Sequence, residues 1–414
     1  MKKKKYIRLI HIFLVPLGFM FSQCMHSDNT GTDPRGPEYS GSEACMKCHS
    51  SIYTNSLHSA HFLTSRAATS ATVHGSFKPD SNTVMYNDSV KVVMEKQAGG
   101  LFQALYKNGR LSNKQRFDII FGSNRGETYL YWQGSEVKQL PVSYYLTLHE
   151  WANSPGGYYN DSVNFSRIIH ARCFECHASF IKSVGQPTGP DGQSDSLDRS
   201  SMILGIDCER CHGPGAAHVD FHTQNPGVKQ PAIISQFSKL TRQQRIDFCS
   251  VCHAGITGVM TKSTFFFKPG DTLAMYTSGQ LFHAYQDAAS VDVHGNQVKL
   301  LTSSKCFFSS KIECKTCHSM HSDAAKSLAA WSNKCLTCHS TANHNFCKIA
   351  EQVGPAIKTD CIDCHMPIRS SKTVVISASG KPNNPPFLAR THLIAIYPDE
   401  TRKILAMLSA KAKP

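Results

Sequence analysis

The chain has 414 residues, 41% hydrophobic and 18% charged, a balance that excludes a disordered or collagen-like polymer and leaves room for one large or two modest domains. Its formal net charge of +14 is not gathered into a long basic patch, so nothing in it reads as a nucleic-acid footprint. What departs from the average is 17 Cys and 21 His, and their arrangement carries more than their number.

Residues 1–24 read as an export signal. Lys2 to Lys5 and Arg8 form a basic head, and the apolar run Ile7 to Phe21 is too short for a comfortable membrane span. Phe21-Ser22-Gln23-Cys24 resembles a bacterial lipobox with Cys24 as the lipid-bearing residue, although Gln23 stands where a small residue is usual. Cleavage without lipidation, or an uncleaved anchor, is the alternative. Residues 25–40, with their Asp, Gly and Pro, then form a flexible tether. The expected location is exported: the periplasm or the outer membrane, with a membrane contact through Cys24.

The segment 41–80 contains Cys45, Cys48 and His49, the first of seven CxxCH motifs. The others are Cys173, Cys176 and His177; Cys208, Cys211 and His212; Cys249, Cys252 and His253; Cys314, Cys317 and His318; Cys335, Cys338 and His339; and Cys361, Cys364 and His365. At these Cys and His frequencies chance supplies about 0.03 such motifs, so seven are decisive. Two cysteines at i and i+3 stand on one face of a helical turn, where both thiols can bond the vinyl groups along one edge of a haem while the adjacent histidine faces the iron. Zinc takes Cys and His too, but does not need a His directly after every second Cys. A disulfide scaffold does not explain that register either. The expected cofactor is haem c, seven groups covalently attached.

No motif lies between His49 and Cys173. Residues 81–146 form a β-rich insertion: apolar and polar residues alternate over Asn82 to Tyr86, Val90 to Glu95, Leu101 to Tyr106, Arg116 to Phe121 and Glu127 to Gln133. Asn108-Gly109 and Gly134-Ser135 supply hairpin turns, so a small antiparallel sheet is predicted. Residues 147–400 form a six-haem domain. From Cys173 to His365 there are about 32 residues per motif, too few for six ordinary cores, so the porphyrins must themselves be the core. The fold class predicted is mainly α, with extensive irregular loops packed around haems, plus the β insertion. In the C-terminal tail, 401–414, Lys403 to Lys413 predict a short helix.

What sits across each iron from the motif histidine decides the chemistry. With the motif histidines, His11 and His26 set aside, about a dozen remain, enough for bis-His ligation throughout, a state that transfers electrons but offers a substrate no site. His218 and His321 follow the third and fifth motifs too closely to reach the far face of their own haem, so each should cross to a neighbouring one. His61, His74, His294, His344 and His392 are further distal candidates in loop-like or Gly-flanked contexts. His58, His149, His170, His222 and His283 read as surface or propionate-contacting residues. If Cys24 is the lipid site, Cys306 and Cys347 are left to pair as a disulfide in an oxidising envelope.

The segments GSEACMKCHSSIYTNSLHSAHF, QLPVSYY, WANSPGGYY, GIDCERCHGPGAAHV, SKCFFSSKIECKTCHSMH, CLTCH, CIDCHMP and RTHLIAIYP resemble, in this order, multihaem cytochromes of the c-552/4 type. The resemblance covers nearly all of the mature chain. It implies a mainly helical multihaem fold, related at a distance to hydroxylamine-oxidising and nitrite-reducing cytochromes, and it implies His61, His218, His321, His344 and His392 as distal ligands. No motif ends in Lys as the active haem of pentahaem nitrite reductases requires, and none of the 14 Tyr can be assigned to the crosslink of the hydroxylamine-oxidising enzymes.

Without its five leader cations the chain carries about +9, and seven ferric haems with ionised propionates bring that to about +2. The basic residues thus compensate propionates. The expected role is an electron relay in the cell envelope between a quinol-linked donor and a terminal acceptor. One alternative is a reductase or oxidase acting on a small nitrogen or sulfur species at one five-coordinate haem; another is an adaptor whose β insertion docks a partner.

Overall fold

The computed structural model describes residues 33–159, 162–186, 194–255, 259–278, 288–322, 327–343, 345–376 and 385–411. The leader with Cys24, residues 25–32 of the tether, His283 and His344 lie outside the described residues.

After the first motif helix, Ser42–Ser56, the chain runs into strands. Thr83–Asn87, Val90–Gln97, Gly100–Lys107 and Arg110–Arg116 form an antiparallel meander in chain order. Period-two alternation aims Val92 and Met94 into the core, opposite Leu105 and Gln103. Asn108 and Gly109 close the third hairpin with φ of 48° and 73°, the left-handed pair that a two-residue turn needs to match strand twist. The strand expected over Arg116 to Phe121 is in fact broken. Arg116 ends the first sheet and Ile119–Phe121 begins a second, so the intervening Phe117 and Asp118 carry the chain between sheets.

The second sheet orders Ser65–Ala67, Ile119–Phe121, Thr128–Gln133 and Glu136–Gln139. Both its faces are buried. Ile120, Tyr129 and Tyr131 join Val92, Met94, Leu105 and Trp151 in one apolar cluster, whereas Ile119, Phe121 and Leu130 join Phe174, Phe180 and Phe265 in another. The alternation of a strand therefore serves two cores at once, and Phe174 brings the second CxxCH motif into one of them. Gly75 has no room for a side chain, since a Cβ there would lie 2.0 Å from the Trp151 ring.

The mainly α expectation is overturned. Among the described residues strands continue far past the insertion, in the hairpins Ala178–Ser183 with Leu197–Leu204 and Ile368–Val375 with Pro386–Arg390. Helix and strand share the chain. The physical reason lies in the motifs: a CxxCH needs only one helical turn, and Cys208–His212, Cys314–Cys317 and Ile362–His365 supply little more than that. Longer helices form where the sequence caps them, as at Arg242–His253, whose Thr241 and Gln244 make a reciprocal capping box. The C-terminal helix spans Pro398–Lys411. It starts earlier than Lys403 because Pro suits a first turn and Asp399 and Glu400 complement the helix dipole.

Gln103, fully buried, joins the first sheet to the segment beyond the second: its amide donates to the Val142 carbonyl at 2.6 Å and accepts from the Val142 N–H at 3.0 Å. Gln103→Leu leaves two buried backbone groups unpaired, at about 1–3 kcal/mol each. A clear loss in denaturant midpoint at unchanged haem absorbance is the expected outcome; an unchanged midpoint would mean that water replaces the amide.

Candidate haem-binding sites

Each motif places its thiols on one turn and its histidine at or just beyond the end of that turn. In the first, the helix Ser42–Ser56 is kinked at His49, whose φ of −115° and ψ of 40° leave helical space. In the third, Asp207 caps the turn Cys208–His212 by accepting from the Arg210 N–H at 2.7 Å.

Four motif histidines face a second imidazole. His49 stands 6.4 Å from His218, ring centre to ring centre, with planes 13° apart. His212 stands 6.0 Å from His321 at 8°, His318 stands 6.1 Å from His392 at 22°, and His253 stands 6.1 Å from His61 at 84°. The spacing discriminates between metals. Two imidazoles bonded at about 2 Å on opposite sides of one metal have centroids about 6 Å apart, whereas adjacent tetrahedral positions on zinc bring them to about 5 Å. The observed spans fit opposed ligation. Burial lowers the pKa of His61 and His392 to about 4 and also lowers those of His212, His253 and His318, keeping these rings in the neutral form that ligates metal.

Thiols of different motifs also approach one another. Cys45 and Cys208, Cys176 and Cys252, Cys249 and Cys314, and Cys335 and Cys361 lie close enough for each thiol to weigh on its partner's ionisation. Two buried polar atoms near the motifs, Arg210 Nε and His222 Nε2, have no partner among the described residues, which is what the carboxylates of a bound haem could satisfy. The donor sets therefore fit haem c.

The remaining candidates are placed as follows. His177 packs flat against Phe121, 4.4 Å between ring centres at 8°, and burial lowers its pKa to about 4. His294 packs edge-on against Phe387 at 5.4 Å and is close enough to weigh on the charge of His177. His74 is brought to no motif histidine among the described rings; its Nδ1 lies 2.6 Å from the buried carboxylate of Glu127, which also binds Arg66. His339 and His365 direct Nδ1 at the carbonyls of Asn345 (3.0 Å) and Ala395 (2.8 Å), an orientation that fixes the tautomer with Nε2 free. His170 pairs with Asp195 at 2.5 Å on the surface, His222 packs edge-on against His218 at 4.6 Å, and His149 adopts φ 53°. Cys306 and Cys347 are both free rather than joined as the expected disulfide. Their surroundings differ: Cys306 lies within electrostatic reach of Cys317 and Cys335, and Cys347 of Cys364.

Sequence reasoning missed the acidic supports. Glu175, fully buried inside the second motif, accepts from Ser263 and Thr264 at 2.8 Å each and pairs with Arg172. Glu209, inside the third, accepts from the Ser40, Gly41 and Gly215 N–H groups at 2.8–2.9 Å and from Arg35 at 2.9 Å. Arg35 also binds Asp33 and Asp207 at 2.9 and 3.0 Å. A charged pair of x residues inside CERCH was the signal available.

This arrangement defines a c-type cytochrome with several covalently bound haems. A family profile described as cytochrome c554 and c-prime matches residues 150–213, the stretch that holds the second and third motifs. The multiheme cytochrome MtrA of Shewanella baltica is 24% identical over 216 residues, 50% of this chain and 56% of that protein, so the chain spans about half the length of this relative. Among solved structures, the outer cell wall cytochrome OcwA shares the fold with a TM-score of 0.52 at 15% identity, over 88% of this chain and 81% of that one. Over part of its length the chain is thus similar to multihaem c-type cytochromes.

Burial opposes the charge of Arg35, but Asp33 and Asp207 outweigh it and raise its pKa, while Asp33, despite burial, is held below the usual carboxylate range by Arg35. The latch that Arg35 makes with Asp33 is therefore complete above the ordinary Asp pKa of about 3.9 and is lost as the pH falls through the lowered pKa of Asp33. Arg35→Gln leaves buried carboxylates uncompensated, about 3–5 kcal/mol. The expected result is protease cleavage of residues 33–41 at neutral pH, where wild type resists. Equal resistance would show that the latch is dispensable.

Proposed function

We propose that this chain holds seven haems and passes single electrons along them within the cell envelope, between a quinol-linked donor and a terminal acceptor. The observation that carries this reading is the set of four opposed histidine pairs, each spanning about the distance that one doubly ligated metal requires. Haem iron so ligated gains and loses one electron without presenting an open coordination position.

The chain's own groups hold that state. His49, His177, His212, His253, His318, His339 and His365 supply the proximal nitrogen, and His218, His321, His61 and His392 close the far side of the first, third, fourth and fifth sites. His344 and His294 are the candidates for two of the remaining sites. Of the further candidates, His74 is the weakest, being held by Glu127. Phe121 and Phe174 cover the second motif with apolar surface. The fourteen motif cysteines would attach each group covalently, holding it whether or not a partner is bound.

An envelope location follows from the leader reading, with lipidation at Cys24 as the membrane contact. Among the described residues no helix is long and apolar enough to cross a membrane. OcwA is by its name a cytochrome of an outer cell wall, a location that suits an exported carrier.

Protein matured with a haem-attachment system should exceed the apoprotein mass by seven haems, and Cys208→Ser with Cys211→Ser by six. In wild type the oxidised irons of the four paired sites should be low-spin by EPR. His218→Ala, His321→Ala and His392→Ala should each convert about one iron to high spin, because water is the weaker ligand. Four high-spin irons in wild type would defeat the relay reading.

A further inference from the structure

We infer that the sixth motif, Cys335–His339, is a port for electron exchange with an external protein, and that this partner presents an acidic surface. The inference rests on the reading that this motif carries haem.

Exposure singles out two motifs. Only in the first and the sixth are the second cysteine and the histidine both exposed: Cys48 with His49, and Cys338 with His339. At the sixth, exposure is not disorder. The Cys338 carbonyl accepts from Asn343 and Asn345 side chains at 3.0 and 3.1 Å, the Ser340 N–H donates to Asn345 at 3.0 Å, and the His339 ring is held by the Asn345 carbonyl. A polar, hydrogen-bonded loop thus fixes the motif without covering it with apolar side chains, as expected where a partner must approach.

The charge around the two exposed motifs differs. The helix of the first carries exposed Met46 and Ile52 with one Lys47 and one Glu43, and so no bias. Around the sixth, the helix Leu328–Leu336 packs on the turn Gly354–Lys358 and on the short helix Cys314–Cys317. These elements carry Lys334, Lys358 and Lys315, and Lys348 follows the loop that holds His339; all four are exposed and none makes an ion pair among the described residues. Opposing them are exposed Glu351 and half-buried Asp360, while Glu313 is taken by Arg245 at 2.6 Å. A ferric haem at the sixth motif adds about −1, which leaves the rim positive. Charges within a Debye length of about 8 Å of a contact steer encounter and orient the partner more than they add affinity. An acidic protein is therefore the occupant that the rim selects.

The test uses seven-haem holoprotein and a redox-inert paramagnetic anion, hexacyanochromate(III), observed by NMR. The anion should broaden the methyl resonances of one haem, and Lys334→Glu with Lys348→Glu and Lys358→Glu should weaken that binding at least fivefold. Reversal of Lys78, Lys96 and Lys107, exposed on the β-rich segment, should leave it unchanged. Stopped-flow reduction by an acidic carrier, reduced flavodoxin, should slow in the rim variant and not in the control. Equal binding in wild type and the rim variant would overturn the port. So would rim-dependent sedimentation with phosphatidylserine vesicles without any response to flavodoxin, which would assign the rim to a membrane. Intact mass separates the two levels: if Cys335→Ser with Cys338→Ser loses no haem, the underlying reading fails, whatever the rim does.

Discussion

Two metal–nitrogen bonds of about 2 Å each would hold opposed imidazoles about 6 Å apart, and the chain brings four ring pairs to about that distance by crossing between motifs. His218 follows the third motif and faces the first. His321 follows the fifth and faces the third. His392 follows the seventh and faces the fifth, and His61 follows the first and faces the fourth. Helices of one turn have no stability of their own, because nucleation costs more than a single turn returns. These crossings therefore give the motif turns their place, and the approach of Cys45 to Cys208 accompanies the crossing of His218 from the third motif to the first.

The β-sheets solve a different problem. They hold the chain between the first and second motifs, where no haem is available to bury apolar side chains, so the residues must bury one another. The second sheet does this on both faces and passes the result on: Phe121 packs at 5.1 Å against Phe174 and flat on His177. The second motif is thereby fixed by protein packing, whereas opposed histidines tie the third motif to the first and to the fifth, and the fourth to the segment that follows the first.

Local features were legible in the sequence. The seven motifs, the alternating strands Val90 to Glu95 and Leu101 to Tyr106, and the Asn108-Gly109 turn depend on neighbours a few residues away. The mainly α expectation fails because a motif needs only one turn, and hairpins such as Ile368–Val375 with Pro386–Arg390 take up chain expected to be irregular loop. His74 and His392 look alike as sequence; only the fold gives one to Glu127 and sets the other across from His318. The pairing of Cys306 with Cys347 rests on elimination alone, which carries no distance, and both thiols are free.

The two residues between the cysteines of a motif report how that motif is fastened. On a single turn the thiols occupy one side and the intervening side chains turn toward whatever lies behind. In the second motif these are Phe174 and Glu175, both fully buried; in the third, Glu209 and Arg210; in the fourth, Ser250 and Val251; in the seventh, buried Ile362 precedes Asp363, which binds Arg390 at 2.6 Å. In the first they are exposed Met46 and Lys47, and in the sixth Leu336 and exposed Thr337. Burying Glu175 or Glu209 is tolerable only because every oxygen is engaged by Arg, hydroxyl or backbone N–H groups. Such anchorage accompanies burial in the second, third and seventh motifs and is lacking at the exposed first and sixth, whereas the fifth keeps Cys317 and His318 half-buried although its own Lys315 and Thr316 are exposed. The same spacing thus yields sites built into the scaffold and sites held at its edge, and in the second, third and seventh motifs it is the x residues of CxxCH that supply the hold.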